Sequence, residues 1–222
     1  REKALLAVAD FRLSPSLYSP PSLKDAPDGT KGTLSLPSAT GGANWEGSAI
    51  DPETGMLYIP SRTTVSVLSV EKDEDSDVAF SQSYGVRVPR VNGLPIVKPP
   101  YGRITAIDMN SGDHAWMIAN ADTPERIANN PALAGVDLPR TGIETKSGIL
   151  LTKTLLFAGE GVGGGPTLRA HDKMTGEIIA EIELPNAQTG VPMTYEHNGK
   201  QYLVMVVSGG GTAAEIVAYA LP

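Results

Sequence analysis

The residues best suited to bind a ligand lie at positions 41–45, which read Gly-Gly-Ala-Asn-Trp. The side-chain amide of Asn44 can both donate and accept hydrogen bonds, and the indole of Trp45 offers a flat ring with one N–H donor. Taken alone, the pair is equally explained by an asparagine that shapes a tight turn and a tryptophan that fills the core. The residue types therefore make Asn44 and Trp45 candidates and leave this alternative open.

Three carboxylates, Asp51, Asp108 and Asp172, could in principle act as bases. Each stands four residues before a glycine and between two segments that read as strands. An aspartate at the head of such a turn accepts backbone N–H groups, and the glycine adopts the left-handed conformation that closes the hairpin. We therefore predict that these aspartates form turns and do not catalyse.

Two further features could be mistaken for binding or catalytic sites. The glycine-rich segment 159–166 is followed neither by a helix nor by the Lys-Ser/Thr pair of a phosphate-binding loop, so we expect a flexible loop. The histidines His114, His171 and His197 lie in or beside hairpins, and we expect them to be exposed or to pack.

The elements that must position these residues repeat along the chain. The pattern of a strand, an Asp-x-x-x-Gly turn and a second strand occurs at 46–60, 104–118 and 168–182. We predict that each copy belongs to its own blade of four antiparallel strands. Segments 148–158 would supply the inner strands of the third copy's blade, and 192–207 would form a further hairpin around an Asn-Gly turn.

Composition supports an all-β fold and limits the partners. The 222 residues include 18 prolines and 24 glycines, which favour many turns over long helices. A formal charge of −7 argues against a nucleic-acid partner. Cysteine is absent, and no apolar run reaches the roughly 18 residues of a membrane span, so we expect a soluble chain.

A short amphipathic helix is predicted within residues 1–11, and the sequence begins as though cut from a longer one.

Several segments together resemble the C-terminal part of the quinoprotein dehydrogenases that use pyrroloquinoline quinone (PQQ), and the membrane-type glucose dehydrogenase branch in particular. They follow the family's order along nearly the whole chain. The segments are 19–23 (SPPSL), 41–45 (GGANW), 51–58 (DPETGMLY), 102–108 (GRITAID) with Trp116, 192–195 (PMTY), 199–202 (GKQY) and 217–222 (VAYALP).

The resemblance implies an eight-bladed β-propeller, of which this chain would supply about three to four blades as a single domain, 1–222. In this family a tryptophan of the outer hairpin packs between adjacent blades, and its indole N–H finds a backbone acceptor. Trp116 completes this docking pattern. The third copy has Ala180 at the corresponding place and the first has Ile59 near it, so weaker docking is expected at both.

The resemblance also implies chemistry. Such enzymes oxidise a sugar or an alcohol by hydride transfer to PQQ, with calcium beside the quinone, and pass electrons to a quinone or a cytochrome in the periplasm. Asn44 and Trp45 would contact the cofactor. The catalytic base and the calcium ligands belong to earlier blades, so no metal ligand is expected in this chain, which should be inactive alone. The glucose branch tends to carry a histidine in its last glycine-rich turn, where this chain reads Ser-Gly-Gly-Gly-Thr at 208–212.

Two other interpretations stay open. The chain could be a non-catalytic propeller scaffold for protein–protein binding, since a fold does not fix a function. Several copies, or the remaining blades, could also associate through open blade edges, because an incomplete ring exposes unpaired strands.

Overall fold

The computed structural model describes residues 1–13, 16, 18–44 and 46–220. The helices are α1 (Glu2–Ala7), α2 (Glu125–Ala128) and a 3₁₀ turn at Pro131–Leu133. The strands are β1 (Arg12–Leu13), β2 (Ser22–Leu23), β3 (Thr33–Ser35), β4 (Ala49–Asp51), β5 (Met56–Arg62), β6 (Ser66–Lys72), β7 (Phe80–Gln82), β8 (Arg90–Val91), β9 (Leu94–Pro95), β10 (Gly102–Asp108), β11 (His114–Ala119), β12 (Ile149–Leu151), β13 (Leu155–Gly159), β14 (Thr167–Asp172), β15 (Ile178–Glu183), β16 (Met193–His197), β17 (Lys200–Gly209) and β18 (Thr212–Ala220).

The chain divides into two compact units. The first unit comprises Arg1–Gly42, Thr63–Lys98 and Asn129–Gly135, and the second comprises Ala43–Arg62, Pro99–Ala128 and Val136–Pro222. The prediction that the whole chain is a single domain stays a prediction. Within the described residues, no helix is both long enough and apolar enough to cross a membrane.

The first unit contains one short-stranded sheet and a two-stranded ribbon. The sheet has the order β1-β3-β6-β2, with β7 also paired to β6, and the ribbon joins β8 and β9. β1 and β2 pair in parallel with β3 and β6 respectively, whereas β3 and β6 are antiparallel. The predicted N-terminal helix is present as α1, although it is shorter than residues 1–11 and buries none of its own residues.

The second unit is built from antiparallel sheets. Its described residues form a first sheet, β11-β10-β5-β4, a second sheet, β12-β13-β14-β15, and a three-stranded third sheet, β16-β17-β18. The predicted all-β class and its four-stranded antiparallel sheets are confirmed. The predicted composition of the second sheet and the Asn-Gly hairpin are also confirmed, and Asn198 and Gly199 both have the positive φ values of such a turn.

The prediction of one blade for each repeated hairpin is wrong for the first two copies. β5 pairs with β10 over its full length, from Met56 opposite Asp108 to Arg62 opposite Gly102, so the first and second hairpins share the first sheet. The long excursion through Thr63–Lys98 separates the two hairpins along the chain and hides this pairing from sequence spacing. Ile59 consequently lies opposite Thr105 inside the sheet and occupies no docking position, so the weak contact expected there is wrong as well.

The sheets of the second unit stack through two hydrophobic clusters. Side chains alternate across a strand, and β13 shows this directly: Leu156 and Ala158 belong to one cluster and Phe157 to the other. The first cluster joins the first and second sheets, and the second cluster joins the second and third sheets. The middle sheet is therefore buried on both faces, as expected for stacked blades.

Trp116 docks the first sheet onto the second, as predicted. Its Nε1 donates to the carbonyl of Lys173 at 3.3 Å, and its ring lies against Tyr58 with a centroid separation of 5.7 Å. The ring also covers Gly176, where an added Cβ would lie 3.0 Å from the indole Cε3. The indole thus uses both its N–H and its face across the contact.

Among the residues that the structure describes, no tryptophan lies at the contact between the second and third sheets. Ala180, which stands where the third repeat would carry one, is exposed. A cavity of about 120 Å³ lies beside this contact and is lined in part by Leu150, Phe157 and Leu203. Weaker docking of this sheet stays a prediction, and the cavity supports it.

Candidate functional site

The sheets of the second unit have two chemically different ends. Tight turns close one end, and we call the turns at 51–56, 108–114, 172–178 and 197–200 the hairpin end. At the other end lie the long connections 43–44, 46–48, 120–128, 136–148, 159–166 and 184–192 and the β17–β18 turn at 208–212, and we call these segments the loop end. Contacts between sheets respect this division. Lys173 reaches Asp51 at the hairpin end, whereas Asn120 reaches Gly159 at the loop end.

The hairpin end uses its aspartates to shape turns, as predicted. Asp51 Oδ1 accepts from the backbone N–H of Glu53 at 3.1 Å, and Asp108 Oδ1 accepts from that of Asn110 at 2.8 Å. Asp172 Oδ1 accepts from two turn N–H groups, at 2.8 and 3.0 Å. These carboxylates therefore lie at the opposite end of the sheets from Asn44.

Asp51 has a second role that its sequence pattern did not indicate. Its Oδ2 accepts from the Lys173 ammonium at 2.6 Å, and both side chains are buried. This bond lowers the pKa of Asp51, with the hydroxyl of Thr54 acting in the same direction. The pair lies beside Trp116 and ties the first sheet to the second.

The histidines behave as packing or surface residues. His171 is fully buried, its Nδ1 donates to the carbonyl of Gly176 at 2.9 Å, and burial lowers its pKa. His114 and His197 are exposed. Among the described residues, no group of three or more histidines and carboxylates is placed to hold a metal ion.

Asn44 lies at the loop end, in the segment that leads into β4. Its side chain is exposed, and its carbonyl accepts from the N–H of Gly47 at 3.1 Å, which closes a turn with Gly47 at φ +78°. Trp45, the second predicted ligand-binding residue, lies outside the described residues. The geometry thus places Asn44 at the end where the long connections converge, and its contact with a cofactor stays a prediction.

Glu46 and Lys146 form a pair near Asn44 that sequence reasoning missed. Glu46 Oε1 lies 4.0 Å from Lys146 Nζ, and the two side chains are 9% and 32% exposed. That Oε1 atom is buried and has no hydrogen-bond partner in the described part of the chain. The two residues are 100 positions apart, so no local pattern could have shown the pair.

The glycine-rich segment 159–166 is held in place through Glu160. One carboxylate oxygen of Glu160 accepts from the N–H of Gly165 at 2.7 Å, and the other accepts from Arg169 Nη1 at 2.5 Å. Its carbonyl accepts from the hydroxyl of Thr145. Gly161 approaches the carbonyl of Lys146 so closely that an added Cβ would lie 2.0 Å away. The segment forms a loop, as predicted, and these contacts anchor Glu160, Gly161 and Gly165; its flexibility stays a prediction.

Arg169 is the centre of a buried ion cluster beneath this segment. It is 2% exposed and donates to Glu160, to Glu181 at 2.7 Å and to Asp122 at 3.0 Å. Burial by itself would lower the pKa of the guanidinium. The hydrogen bonds that Arg169 donates to Glu160 and Glu181 together outweigh burial, so the pKa is raised. Asp122 also pairs with Arg140 at 2.7 Å. The ion cluster holds the segments beneath the loop end in place.

Two buried amides link the long connections to neighbouring strands. Asn120 Nδ2 donates to the carbonyl of Gly159 at 3.1 Å, and Gln188 Nε2 donates to that of Gly148 at 2.8 Å. Their amide oxygens are buried and accept no hydrogen bond from the described residues. Together with Glu46 Oε1, the loop end therefore holds three buried acceptors that have no donor among the described residues.

The inner strands β4 and β12 border an open cleft of about 560 Å³. Asp51 and Lys173 lie at one side of this cleft, and Val191 and Pro192, which lead into β16, lie at another. Ile50 on β4 is 57% exposed. The edge strands β4 and β12 therefore border open space on one side, although Ile149 of β12 belongs to the first hydrophobic cluster.

Comparison with known proteins identifies the family. A family model described as the β-propeller domain of PQQ-dependent glucose/ethanol/alcohol dehydrogenases matches residues 1–203. The glycerol dehydrogenase large subunit of Gluconobacter thailandicus is 28% identical over 92% of this chain and 31% of its own length. The quinoprotein glucose dehydrogenase of Escherichia coli is 29% identical over 93% of this chain and 28% of its own length.

A solved structure agrees on the fold. The quinohemoprotein alcohol dehydrogenase from Pseudomonas putida HK5 superimposes with a TM-score of 0.54 over 80% of this chain and 24% of its own, at 18% identity. The chain spans roughly three-tenths of the length of the curated relatives described above. Because the family match covers most of the sequence and the sheets agree with a propeller, this chain belongs to the PQQ-dependent glucose/ethanol/alcohol dehydrogenase β-propeller family.

Proposed function

We propose that the chain is the C-terminal part of a PQQ-dependent dehydrogenase that oxidises a sugar or an alcohol, and that its loop end forms one wall of the PQQ pocket. The observation that carries this proposal is the position of Asn44. It is exposed at the end where the long connections of the second unit meet, in a chain matched by a PQQ-domain family model. Loops at one end of a rigid sheet scaffold commonly bind ligands.

The groups at the loop end suit this cofactor. PQQ carries quinone oxygens and carboxylates, which need hydrogen-bond donors. The side-chain amide of Asn44 supplies N–H donors at an exposed position. Trp45 would add an indole N–H or a ring edge. When bound, PQQ accepts a hydride from the carbon that bears the substrate hydroxyl.

The catalytic base and the calcium ligands are assigned to parts of the protein outside this chain. The three turn aspartates are already bonded at the hairpin end, and the described residues hold no group of three or more histidines and carboxylates placed to bind a metal ion. This chain would thus orient PQQ, while a catalytic base in another blade would remove the proton of the substrate hydroxyl.

The names of the relatives support the substrate class. Their names specify glycerol and glucose, both of which carry several hydroxyl groups. We extend this class to the present protein, with a quinone or a cytochrome as electron acceptor and a periplasmic location. The remaining propeller blades would complete the ring.

Dye reduction tests the proposal. The full-length protein that carries this chain should reduce an artificial electron acceptor with glucose, glycerol or short alcohols once PQQ and calcium are added. The isolated 222-residue chain should show no turnover under the same conditions. Turnover by the isolated chain would refute the assignment of the base to other blades. A full-length protein that binds no PQQ would instead favour the non-catalytic scaffold, and gel filtration would show whether copies associate through open edges.

A further inference from the structure

The Glu46–Lys146 pair presents an unfilled hydrogen-bonding position at the loop end. The Glu46 side chain is 9% exposed, yet its Oε1 accepts no hydrogen bond from any described residue. Leaving a buried carboxylate oxygen unbonded is unfavourable, so such an atom normally has a donor in the functional state. Lys146 Nζ, at 4.0 Å, is too distant to be that donor.

The separation of the two charged atoms fits a bridging group. A single oxygen atom can lie about 2.8 Å from both a carboxylate oxygen and an ammonium nitrogen that are 4.0 Å apart. Lys146 is 32% exposed, so the position between the atoms is open from its side. The neighbouring backbone is fixed, because Gly161 packs directly on the carbonyl of Lys146.

The chemistry of the pair selects the bridging group. A metal cation would be repelled by the ammonium, and an anion such as a PQQ carboxylate would be repelled by Glu46. A hydroxyl group is neutral, donates its proton to Glu46 Oε1 and accepts from Lys146 Nζ with its lone pairs. The pair is therefore complementary to an alcohol hydroxyl and to neither ion.

We infer that Glu46 and Lys146 bind a hydroxyl of the substrate other than the one that is oxidised, so that the enzyme selects polyols or sugars over simple alcohols. This inference rests on the proposed function, since it needs PQQ bound beside Asn44. Glu46 and Lys146 are specificity-determining residues in this account and take no part in hydride transfer.

The test uses the full-length enzyme loaded with PQQ and calcium. The substrates are glycerol, glucose and 1-propanol, and KM, kcat and the dissociation constant of PQQ are measured for each protein. Glu46→Gln keeps the size of the side chain and removes its charge, Lys146→Met removes the ammonium, and Glu177→Gln changes an exposed carboxylate at the hairpin end as the matched control.

Wild type should prefer a polyol to 1-propanol. Glu46→Gln and Lys146→Met should each raise KM for that polyol about tenfold, because one charge-assisted hydrogen bond is lost, while KM for 1-propanol and kcat change less than about twofold. The PQQ dissociation constant should not change in either variant, and Glu177→Gln should match wild type throughout.

Other results overturn the inference. A wild-type preference for 1-propanol, or equal KM changes for all substrates, would mean that the pair is structural or bridged by water alone. Weaker PQQ binding in Glu46→Gln would place the pair on the cofactor. If Glu46→Gln does not fold, Lys146→Met decides alone by the same criteria. Loss of PQQ binding by wild type would refute the proposed function itself, whereas intact PQQ binding without polyol selectivity would refute only this inference.

Discussion

The two ends of the second unit differ in how far apart in sequence their hydrogen-bonded residues lie. At the hairpin end, the aspartates bond to N–H groups two or three residues away. At the loop end, Asn120 bonds to Gly159 across 39 residues and Arg169 to Asp122 across 47. The turns of the hairpin end are therefore locally determined and repeated, although Lys173 also reaches Asp51 across 122 residues. The polar contacts of the loop end form only once the sheets have assembled.

This difference separates scaffold from site. A repeated turn builds the same shape in each sheet and carries no information specific to one position. The loop end instead collects residues that occur once, including Asn44, the Glu46–Lys146 pair and the buried cluster around Arg169. Damage at the hairpin end should change stability alone, and damage at the loop end should change both stability and ligand binding.

The largest effect on stability is expected from Arg169→Met. The substitution leaves Glu160 buried without its counter-ion, so we expect a loss of about 3–5 kcal/mol in the free energy of unfolding. Urea denaturation measures this loss. Glu181→Gln is the control, because Glu181 is half exposed and should cost no more than about 1 kcal/mol. Equal losses in both variants would show that burial of Glu160 does not set the energy of the cluster.

A smaller loss is expected when the docking between the first and second sheets is weakened. Trp116→Ala removes a partly buried ring and its bond to Lys173, for which we expect about 2–3 kcal/mol in the free energy of unfolding. Trp116→Phe keeps most of the ring and should cost about 1 kcal/mol, chiefly for the lost N–H bond. Both are measured by urea denaturation. A Phe variant as unstable as the Ala variant would mean that the hydrogen bond, and not the ring, holds the contact.

The pH dependence of the free energy of unfolding should reveal the contribution of His171, the buried histidine at the hairpin end. Burial lowers the pKa of His171 below its unfolded value of about 6.5, so the unfolded chain binds more protons as pH falls below that value. Stability should be full above about pH 6.5 and should fall by up to about 1.4 kcal/mol per pH unit below it.

Urea denaturation between pH 7 and pH 5 measures this slope. His171→Gln should remove it, and His197→Gln, at an exposed position, should keep it. Asp51 acts in a separate window, because its lowered pKa makes its contribution disappear only as pH falls below about 4. An unchanged slope in His171→Gln would assign the pH dependence to another group.

Local patterns predicted the fold well where partners are close in sequence. The turns headed by Asp51, Asp108 and Asp172 and the whole second sheet follow from strand alternation and turn residues. The pairing of β5 with β10 was missed because Thr63–Lys98 lies between them. The docking of Trp116 was predicted by family resemblance and not by any local signal.

The site was less predictable for the same reason. Asn44 was identified by resemblance, and its place at the loop end is consistent with that role but does not test it. Glu46, Lys146 and Arg169 gave no signal, because their contacts depend on strands that meet only in the folded protein.

The affinity of the full-length protein for PQQ tests the central claim most directly. We expect Asn44→Ala to raise the PQQ dissociation constant about tenfold, because a hydrogen bond between an amide and the cofactor is worth about 1–1.5 kcal/mol. Asn110→Ala removes the same amide from a turn of the hairpin end and should leave PQQ affinity unchanged. Titration of the apoprotein with PQQ in the presence of calcium measures both constants. Equal affinities for wild type and Asn44→Ala would contradict the assignment of the loop end as a wall of the PQQ pocket.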